Sequence, residues 1–351
     1  MFRRRYSKTK PKNNIIIYQS TKREVPKITT DTLGGWGANY VDSKSTWDST
    51  SGIGYLYFDA NITRIPDYSF KQNSTMIAIL YIPETVTSIG AYVFHFNETG
   101  TSLRSNLQSV KFNNSIKFIG DRAFQNNRQL EKVILPNSVE YIFEYCFNCC
   151  AQKLNEVTIG ENFKKFLNTS DTSPDESRKN IASGLFGLCY QLKTVHWNAI
   201  NCEDFTSQAY SPFTTDSMGI TSPITTVTFG DKVKNIPGSL FWKCSNLTGT
   251  IEIPESCERI GDRAFQACHG VSSFKIYAKT PPRIEPSDGH SFTSSDGKNA
   301  VFRYFDTSWK VMNTTIYVPS ESLEAYINDK NWSVYKNIIK AFRPEYKSID
   351  L

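Results

Sequence analysis

Short stretches of alternating apolar and polar residues recur along the chain, and each leads to a phenylalanine that closes the unit. Aligning the units on this residue gives a period of about 23 residues. The anchors are Phe70, Phe94, Phe124, Phe147, Phe186, Phe213, Phe241 and Phe265. Because alternation with a period of two is typical of a strand with one buried face, each unit is predicted to contribute one short strand.

Each predicted strand has an inward pair of apolar residues. The pairs are Leu56/Phe58, Leu80/Ile82, Val110/Phe112, Val133/Leu135, Val157/Ile159, Val195/Trp197, Val227/Phe229, Ile251/Ile253 and Phe274/Ile276. A proline ends the strand at Pro83, Pro136 and Pro254, since proline lacks a ladder donor. One such unit cannot bury its apolar face alone, so we expect a right-handed solenoid with a parallel sheet and short irregular return segments.

The position three residues after seven of the eight anchors is asparagine or cysteine. It is occupied by Asn73, Asn97, Asn127, Cys150, Cys189, Cys244 and Cys268. A small polar side chain at a fixed inner corner can bond backbone groups of adjacent turns that would otherwise be buried and unpaired. We therefore expect a structural Asn/Cys ladder rather than reactive thiols.

The repeated residues resemble the BspA-type leucine-rich repeats, whose pattern is close to L-x-x-V-x-I-P-x-S-V-x-x-I-G-x-x-A-F-x-x-C. Residues 130–150 and 251–268 carry the resemblance most clearly. A second likeness, to the C-terminal cap of that family, lies in residues 280–282 and 316–335. It predicts a strand and then a helix that begins near Ser320, whose hydroxyl is expected to cap it.

These patterns divide the chain into four parts. We expect a basic flexible arm at 1–14, an N-terminal β cap at 15–52, about nine leucine-rich repeats at 53–276 and a strand-helix C-terminal cap at 277–351. Polar insertions interrupt the pattern near 165–182, near 200–212 and at 285–300. Insertions in solenoids map to surface loops, where recognition often differs between relatives.

Composition supports a chain of strands and loops, with 39% hydrophobic and only 21% charged residues. Much of the net charge of +6 comes from the first 27 residues. The arm residues Arg3, Arg4, Arg5, Lys8, Lys10 and Lys12 could dock on an acidic surface or form a disordered terminus. Nucleic acid is not expected, because little aromatic interleaving supports base stacking. No apolar run is long enough for a membrane span.

The repeat explains the positions of most candidate catalytic and metal-binding residues. A Cys268–His269 pair follows from the ladder, and a zinc site at Cys146, Cys149 and Cys150 fails because only Cys149 lacks a repeat role. Asp121 and Asp262 belong to the repeated Gly-Asp-Arg-Ala turn. The acidic residues at 171–176 lack calcium-loop spacing, and Gly34–Gly37 reads as a turn. We therefore expect no enzyme, metal or cofactor; a glycan-active enzyme is the remaining catalytic alternative.

The outward strand positions are the best recognition candidates. The predicted binding residues are Tyr55, Tyr57, Tyr81, Lys111, His196 and Glu252, in a row that also includes Ile79, Ile134, Thr158, Thr228 and Lys275. The three tyrosines would cluster at one end, and exposed tyrosine is favoured in recognition. Packing of these rings on the N-terminal cap is the alternative.

The resemblance implies a non-catalytic binding or structural role with a protein or cell-surface glycan ligand. Its members include surface adhesins of gut and oral anaerobes and virion proteins of their phages. No secretion signal is visible, since the apolar stretch Ile15–Tyr18 is too short. That favours a phage virion component whose arm contacts other virion proteins, with a bacterial cell-surface adhesin as the alternative.

Overall fold

The computed structural model describes residues 12–27, 35–97, 104–167, 185–205, 211–213, 222–285, 301–303 and 310–343. The strands are β1 (Ile15–Ser20), β2 (Thr46–Trp47), β3 (Ile53–Tyr57), β4 (Arg64–Ile65), β5 (Met76–Tyr81), β6 (Ser88–Ile89), β7 (Ser109–Val110), β8 (Phe118–Ile119), β9 (Lys132–Ile134), β10 (Tyr141–Phe143), β11 (Glu156–Ile159), β12 (Lys165–Leu167), β13 (Thr194–Trp197), β14 (Thr226–Phe229), β15 (Asn235–Ile236), β16 (Gly249–Ile253), β17 (Arg259–Gly261), β18 (Val271–Ile276), β19 (Arg283–Glu285), β20 (Thr315–Pro319) and β21 (Ile339–Phe342). One short α-helix, α1 (Leu323–Asn328), and the 3₁₀ turns Asp42–Lys44, Ser320–Ser322 and Ser333–Tyr335 complete the described elements.

The repeat strands form parallel front sheets, as expected for a leucine-rich-repeat solenoid. The central front sheet has the order β9-β11-β13-β14, and the C-terminal front sheet has the order β16-β18-β20-β21. Equivalent valines of the central sheet pair in one row, namely Val133, Val157, Val195 and Val227. These buried side chains belong to a single apolar core that runs from Ile16 to Ile339.

The return segments are more regular than the sequence predicted. Strands β4, β6, β8, β10 and β12 pair in parallel as a first return sheet, and β15, β17 and β19 form a second. Residues 165–167, which were expected to open an insertion, instead form β12 of the first return sheet. Between the two return sheets, only an isolated bridge from Asn201 to Asn235 continues the pairing within the described residues.

The anchor phenylalanines stack face to face along the interior. Ring centroids of successive anchors, from Phe70 to Phe265, lie 5.1–5.9 Å apart. Phe302, which the repeat pattern did not identify, extends the column at 6.1 Å from Phe265. We call these nine rings the phenylalanine spine. Because each ring contacts the rings of both neighbours, the spine couples adjacent units.

The turns that carry the spine are held by a further ladder of backbone hydrogen bonds. The N–H groups of Arg122, Phe124 and Asn126 donate to carbonyl groups of the next unit at 2.9–3.1 Å. Arg122 and Asn126 have positive φ angles of 49° and 65°, a conformation that L-residues rarely adopt. The bonds between units offset this local cost, so the turn geometry depends on stacking rather than on glycine.

The N-terminal strand is inserted into the first front sheet, in the order β2-β3-β1-β5-β7. Strand β1 pairs antiparallel with both β3 and β5. The expectation that these two repeat strands pair directly with each other is therefore wrong. A local irregularity in β5 also shifts the pattern, because Ile79 pairs with Val110. Ile79 is therefore buried and Leu80 half-buried, the reverse of the prediction.

The C-terminal cap closes the core with aromatic side chains. Tyr326, Trp332 and Tyr335 are buried; the Tyr326 hydroxyl donates to the Ala278 carbonyl, and the Trp332 indole to the Pro282 carbonyl, each at 2.7 Å. The predicted strand and helix are present, but a 3₁₀ turn precedes α1 and no side chain caps it. The expected capping by Ser320 is therefore wrong, because its hydroxyl points to Glu321.

Candidate binding surface

The outward side chains of the central front sheet lie in two rows. Pairing aligns Lys132, Glu156, Thr194 and Thr226 in one row, and Ile134, Thr158, His196 and Thr228 in the other. The alternation that buries Val157 and Ile159 forces the side chains between them outward. We call these eight residues the central outward rows. The four residues on the outer strands β9 and β14 are exposed, and the four on β11 and β13 are half-buried.

Polar contacts across the strands fix part of this surface. Lys132 Nζ lies 2.7 Å from Glu156 Oε2, and His196 Nε2 lies 3.9 Å from Glu156 Oε1. The other ring nitrogen, His196 Nδ1, is 2.7 Å from the Thr228 hydroxyl. Sequence reasoning had selected His196 but missed Lys132 and Glu156, because only the strand register places them beside it.

Ile134 is the apolar member of the same rows and is 59% exposed. Its neighbour in the row, Thr158, is half-buried, and both side chains present methyl groups beside the polar network. Lys111, another predicted binding residue, is also exposed, in the preceding unit. Ile134 is therefore an exposed apolar side chain on a sheet that also carries a polar network, which makes it a candidate contact residue.

The three predicted tyrosines lie on two strands that are not adjacent, Tyr55 and Tyr57 on β3 and Tyr81 on β5. Ile17 of β1 pairs with Tyr55 on one side and with Tyr81 on the other, while Ile15 pairs with Tyr57. All three tyrosines are half-buried, and burial raises the pKa of Tyr81. Strand β1 therefore separates Tyr81 from Tyr55 and Tyr57, and binding through these tyrosines stays a prediction.

At the other end, Glu252 is exposed and accepts a 3.3 Å hydrogen bond from the Tyr277 hydroxyl. Lys275 Nζ lies 5.0 Å from the Tyr277 ring centroid and 4.8 Å from that of Phe342, a cation–π arrangement. Tyr277 and Phe342 were not predicted; they lie beyond the repeat pattern, so no periodic signal identifies them.

The predicted ladder residues do not all make the same contact. The side chains of Asn127, Cys150, Cys189 and Cys268 each donate to the carbonyl of the anchor phenylalanine one unit earlier, at 2.9–3.4 Å. Cys244 instead lies 3.8 Å from the Ser211 hydroxyl, and Asn73 accepts from the N–H of Met76 and donates to Glu24. Asn97 departs from the expectation, since it is exposed.

None of the eight cysteines forms a disulfide, and only Cys149 is not buried. Burial raises the pKa of Cys244 to about 11 and that of Cys257 to about 12, and it also raises the pKa values of Cys146, Cys150, Cys202 and Cys268. Because the thiolate is the reactive form, burial and a raised pKa both suppress reactivity.

We predict that the folded protein, reduced beforehand and freed of reductant, has one thiol that reacts fast with Ellman's reagent at pH 8, that of Cys149. The other seven of the eight cysteines should react only on unfolding. The Cys149→Ala variant is the matched control and should lose the fast phase. Rapid reaction of several thiols in the native state would contradict the burial of the ladder.

The structure locates the residues that the sequence offered as catalytic candidates. Cys268 is buried while His269 is exposed, and Asp121 forms an ion pair of 2.6 Å with Arg122. Burial raises the pKa of Asp121. Asp262 lies 3.6 Å from Arg263, in the equivalent turn of another unit. Among the described residues, no group of three or more histidine, cysteine, aspartate or glutamate side chains could hold a metal ion.

Several predicted residues lie outside the described part of the chain. These are Arg3, Arg4, Arg5, Lys8 and Lys10 of the basic arm, the acidic stretch 171–176 and the insertion 286–300. Lys12 is described and is exposed. In the described ranges, no helix combines the length and hydropathy needed to cross a bilayer.

Comparison with known proteins gives the family. The profile of the BspA type leucine rich repeat region matches six copies, over residues 43–104, 63–214 and 168–293. Among curated proteins none matches the sequence.

Similar solved structures include a leucine-rich repeat protein from Bacteroides ovatus, with 18% identity and a TM-score of 0.42, covering 75% of this chain and 53% of that one. They also include the pneumococcal vaccine antigen PcpA, at 14% identity and a TM-score of 0.25, covering 81% and 84%. A leucine rich cell surface protein from Faecalibacterium prausnitzii has 17% identity and a TM-score of 0.22, covering 70% and 86%. This chain spans about half the length of the first. Since the family matches cover residues 43–293, most of the sequence, the chain belongs to the BspA-type leucine-rich repeat family.

Proposed function

We propose that this protein is a non-catalytic binding module that attaches to a protein or glycan on a cell surface through its central outward rows. The observation that carries this proposal is the exposure of Ile134 on the same sheet face as the polar contacts of Lys132 with Glu156 and of His196 with Thr228. The fold does not need an apolar side chain at this exposed position, whereas a binding partner would gain from burying it.

The geometry suits binding for a second reason. Side chains on a parallel sheet are held at fixed spacing, so binding costs little conformational entropy. Lys132, Glu156 and His196 add charged and polar groups at the rim of Ile134, which favours register and specificity over raw affinity.

Attachment to intact bacterial cells tests the proposal. The Ile134→Asp variant of the fluorescently labelled protein should bind at least about tenfold less than the parent protein, because a charge replaces the apolar contact. Tyr190→Asp is the matched control: Tyr190 is 52% exposed but lies outside the front sheets, so binding should not change. Equal attachment of the Ile134 variant, shown to be folded by circular dichroism, would refute a role for the central outward rows.

We further propose that the module is carried on the outside of a particle or cell. A phage virion component, in a head or tail decoration, is the first candidate carrier, and a bacterial adhesin is the second. Mass spectrometry of density-purified particles and of washed cell envelopes distinguishes them. Peptides at stoichiometric yield in the particles would establish the virion, and peptides in the envelopes alone would establish the adhesin.

A further inference from the structure

The return side of the solenoid carries an exposed aromatic pair. The Phe118 and Tyr141 rings stack in parallel, with centroids 5.4 Å apart and planes 9° apart, on the outer face of the first return sheet. Lys164 Nζ lies over the Tyr141 ring, 5.5 Å from its centroid. Phe118 itself is 41% exposed, although its side chain is wholly apolar.

On the other side of Phe118 the sheet places a small residue. The residue paired with Phe118 on the preceding strand is Ser88, whose short side chain does not reach the height of an aromatic ring. The Phe118 ring thus forms a flat apolar surface, with the exposed residue Lys117 before it in the chain and the small residue Ser88 beside it in the sheet. Such a surface fits another flat ring with an apolar face and polar edges.

A groove of about 480 Å³, whose lining is mixed and includes the apolar residues Phe163 and Ile200, adjoins this pair at the interruption between the two return sheets. The polar side chains that line it are Glu140, Glu161, Glu203, Asn162, Asn201 and Lys164. Lys164 belongs to both features, because it lines the groove, where it donates a 2.6 Å hydrogen bond to Glu140, and its Nζ also lies over the Tyr141 ring. The aromatic pair and the groove therefore form one continuous surface.

Each glutamate of the groove is paired with lysine. Glu140 pairs with Lys164 and lies 3.7 Å from Lys117, Glu161 pairs with Lys232 at 3.1 Å, and Glu203 pairs with Lys165 at 3.2 Å. The Lys164 ammonium group also lowers the pKa of Glu140. The groove thus offers dense hydrogen-bond acceptors and donors without a strong net field. A ligand with many hydroxyl groups and no charge matches this pattern better than an anion or a cation does.

We infer that the return side is a second binding site, for a neutral oligosaccharide: one pyranose ring stacks on Phe118 and the following sugars hydrogen-bond along the groove from Glu140. A groove of this size falls within the range of small-ligand sites. The site lies on the return side, so it is independent of the central outward rows that the proposed function uses.

Isothermal titration of the full chain with three neutral hexasaccharides, cellohexaose, maltohexaose and mannohexaose, tests this inference. At least one should bind with a dissociation constant below about 1 mM. Phe118→Ala should weaken that binding by about tenfold or more, since it removes the stacking surface. Phe118→Trp keeps an aromatic ring and should bind about as tightly as the parent protein. A hyaluronan hexasaccharide, which carries carboxylates, should bind more weakly.

The matched controls are Tyr190→Ala, an exposed aromatic residue elsewhere, and Ile134→Asp on the front sheet. Neither should change oligosaccharide binding, and a failure at Ile134 in cell attachment would not alter this result. Absence of binding by all three neutral sugars, equal affinity of the Phe118→Ala variant, or tighter binding of the hyaluronan fragment would each overturn the inference. Thermal melts of the variants establish that they are folded.

Discussion

Replacing Phe147 with alanine is expected to destabilise the protein by about 3–5 kcal/mol, because it removes a fully buried ring and leaves a cavity. The ring of Phe147 stacks on Phe124 at 5.2 Å and on Phe186 at 5.4 Å, so the change also breaks two ring contacts of the spine. Denaturant unfolding followed by circular dichroism measures the loss.

The effect of this change should spread to neighbouring units. In a solenoid each unit is stabilised by the interfaces with its neighbours, so hydrogen exchange should accelerate most around Phe124 and Phe186. Phe147→Leu, which keeps most of the volume, should cost less than about 1.5 kcal/mol. A loss below about 1 kcal/mol for the alanine variant would mean that the spine does not couple the units.

Replacing Glu24 with alanine is expected to release the N-terminal strand, at a cost of about 2–4 kcal/mol. Glu24 is 4% exposed, and its carboxylate accepts hydrogen bonds from Ser20, Thr75 and Asn73. Removing the carboxylate leaves three polar groups without this acceptor at the junction between β1 and the first repeat. Hydrogen exchange of the β1 amides should rise by at least about 30-fold, which corresponds to roughly 2 kcal/mol.

The matched control for Glu24 is Glu131→Ala. The Glu131 carboxylate is exposed and lies 3.8 Å from Lys153, so its removal should change stability by less than about 0.5 kcal/mol. Unchanged exchange in β1 of the Glu24 variant, while the repeats remain folded, would show that pairing with β3 and β5 alone holds the strand in place.

The repeat architecture could be predicted from the sequence because one period controls several levels of structure. Alternation within each strand places Val133, Val157 and Val195 inward, and these residues pair in register in the structure. The anchor phenylalanines were identified for the same reason. Family membership rests on the same residues, which a profile match confirms.

What could not be predicted depends on contacts between segments that share no period. Strand β1 inserts between β3 and β5, a long-range pairing that no local pattern encodes, and this insertion changes the surroundings of Tyr55 and Tyr81. The local irregularity at Ile79 shifts burial by one residue, which alternation alone does not reveal. The exposed Phe118 was missed because its unit reads as an ordinary return segment.

The candidate surface was predictable in position but not in detail. The outward strand positions followed from alternation, so His196 and Lys111 were selected, whereas the ion pair of Lys132 with Glu156 required the register between neighbouring strands. Residues at the C-terminal end, such as Phe342, follow no repeat, and their cation–π contact with Lys275 depends on the folded cap.

Oxidative footprinting of the protein while it is attached to intact cells tests the central claim most directly. Hydroxyl radicals modify exposed side chains, and mass spectrometry compares each residue in the free and attached protein. We predict that Ile134 and His196 become protected on attachment while Tyr190 does not. Protection confined to other parts of the chain, with Ile134 and His196 labelled as in the free protein, would contradict binding through the central outward rows.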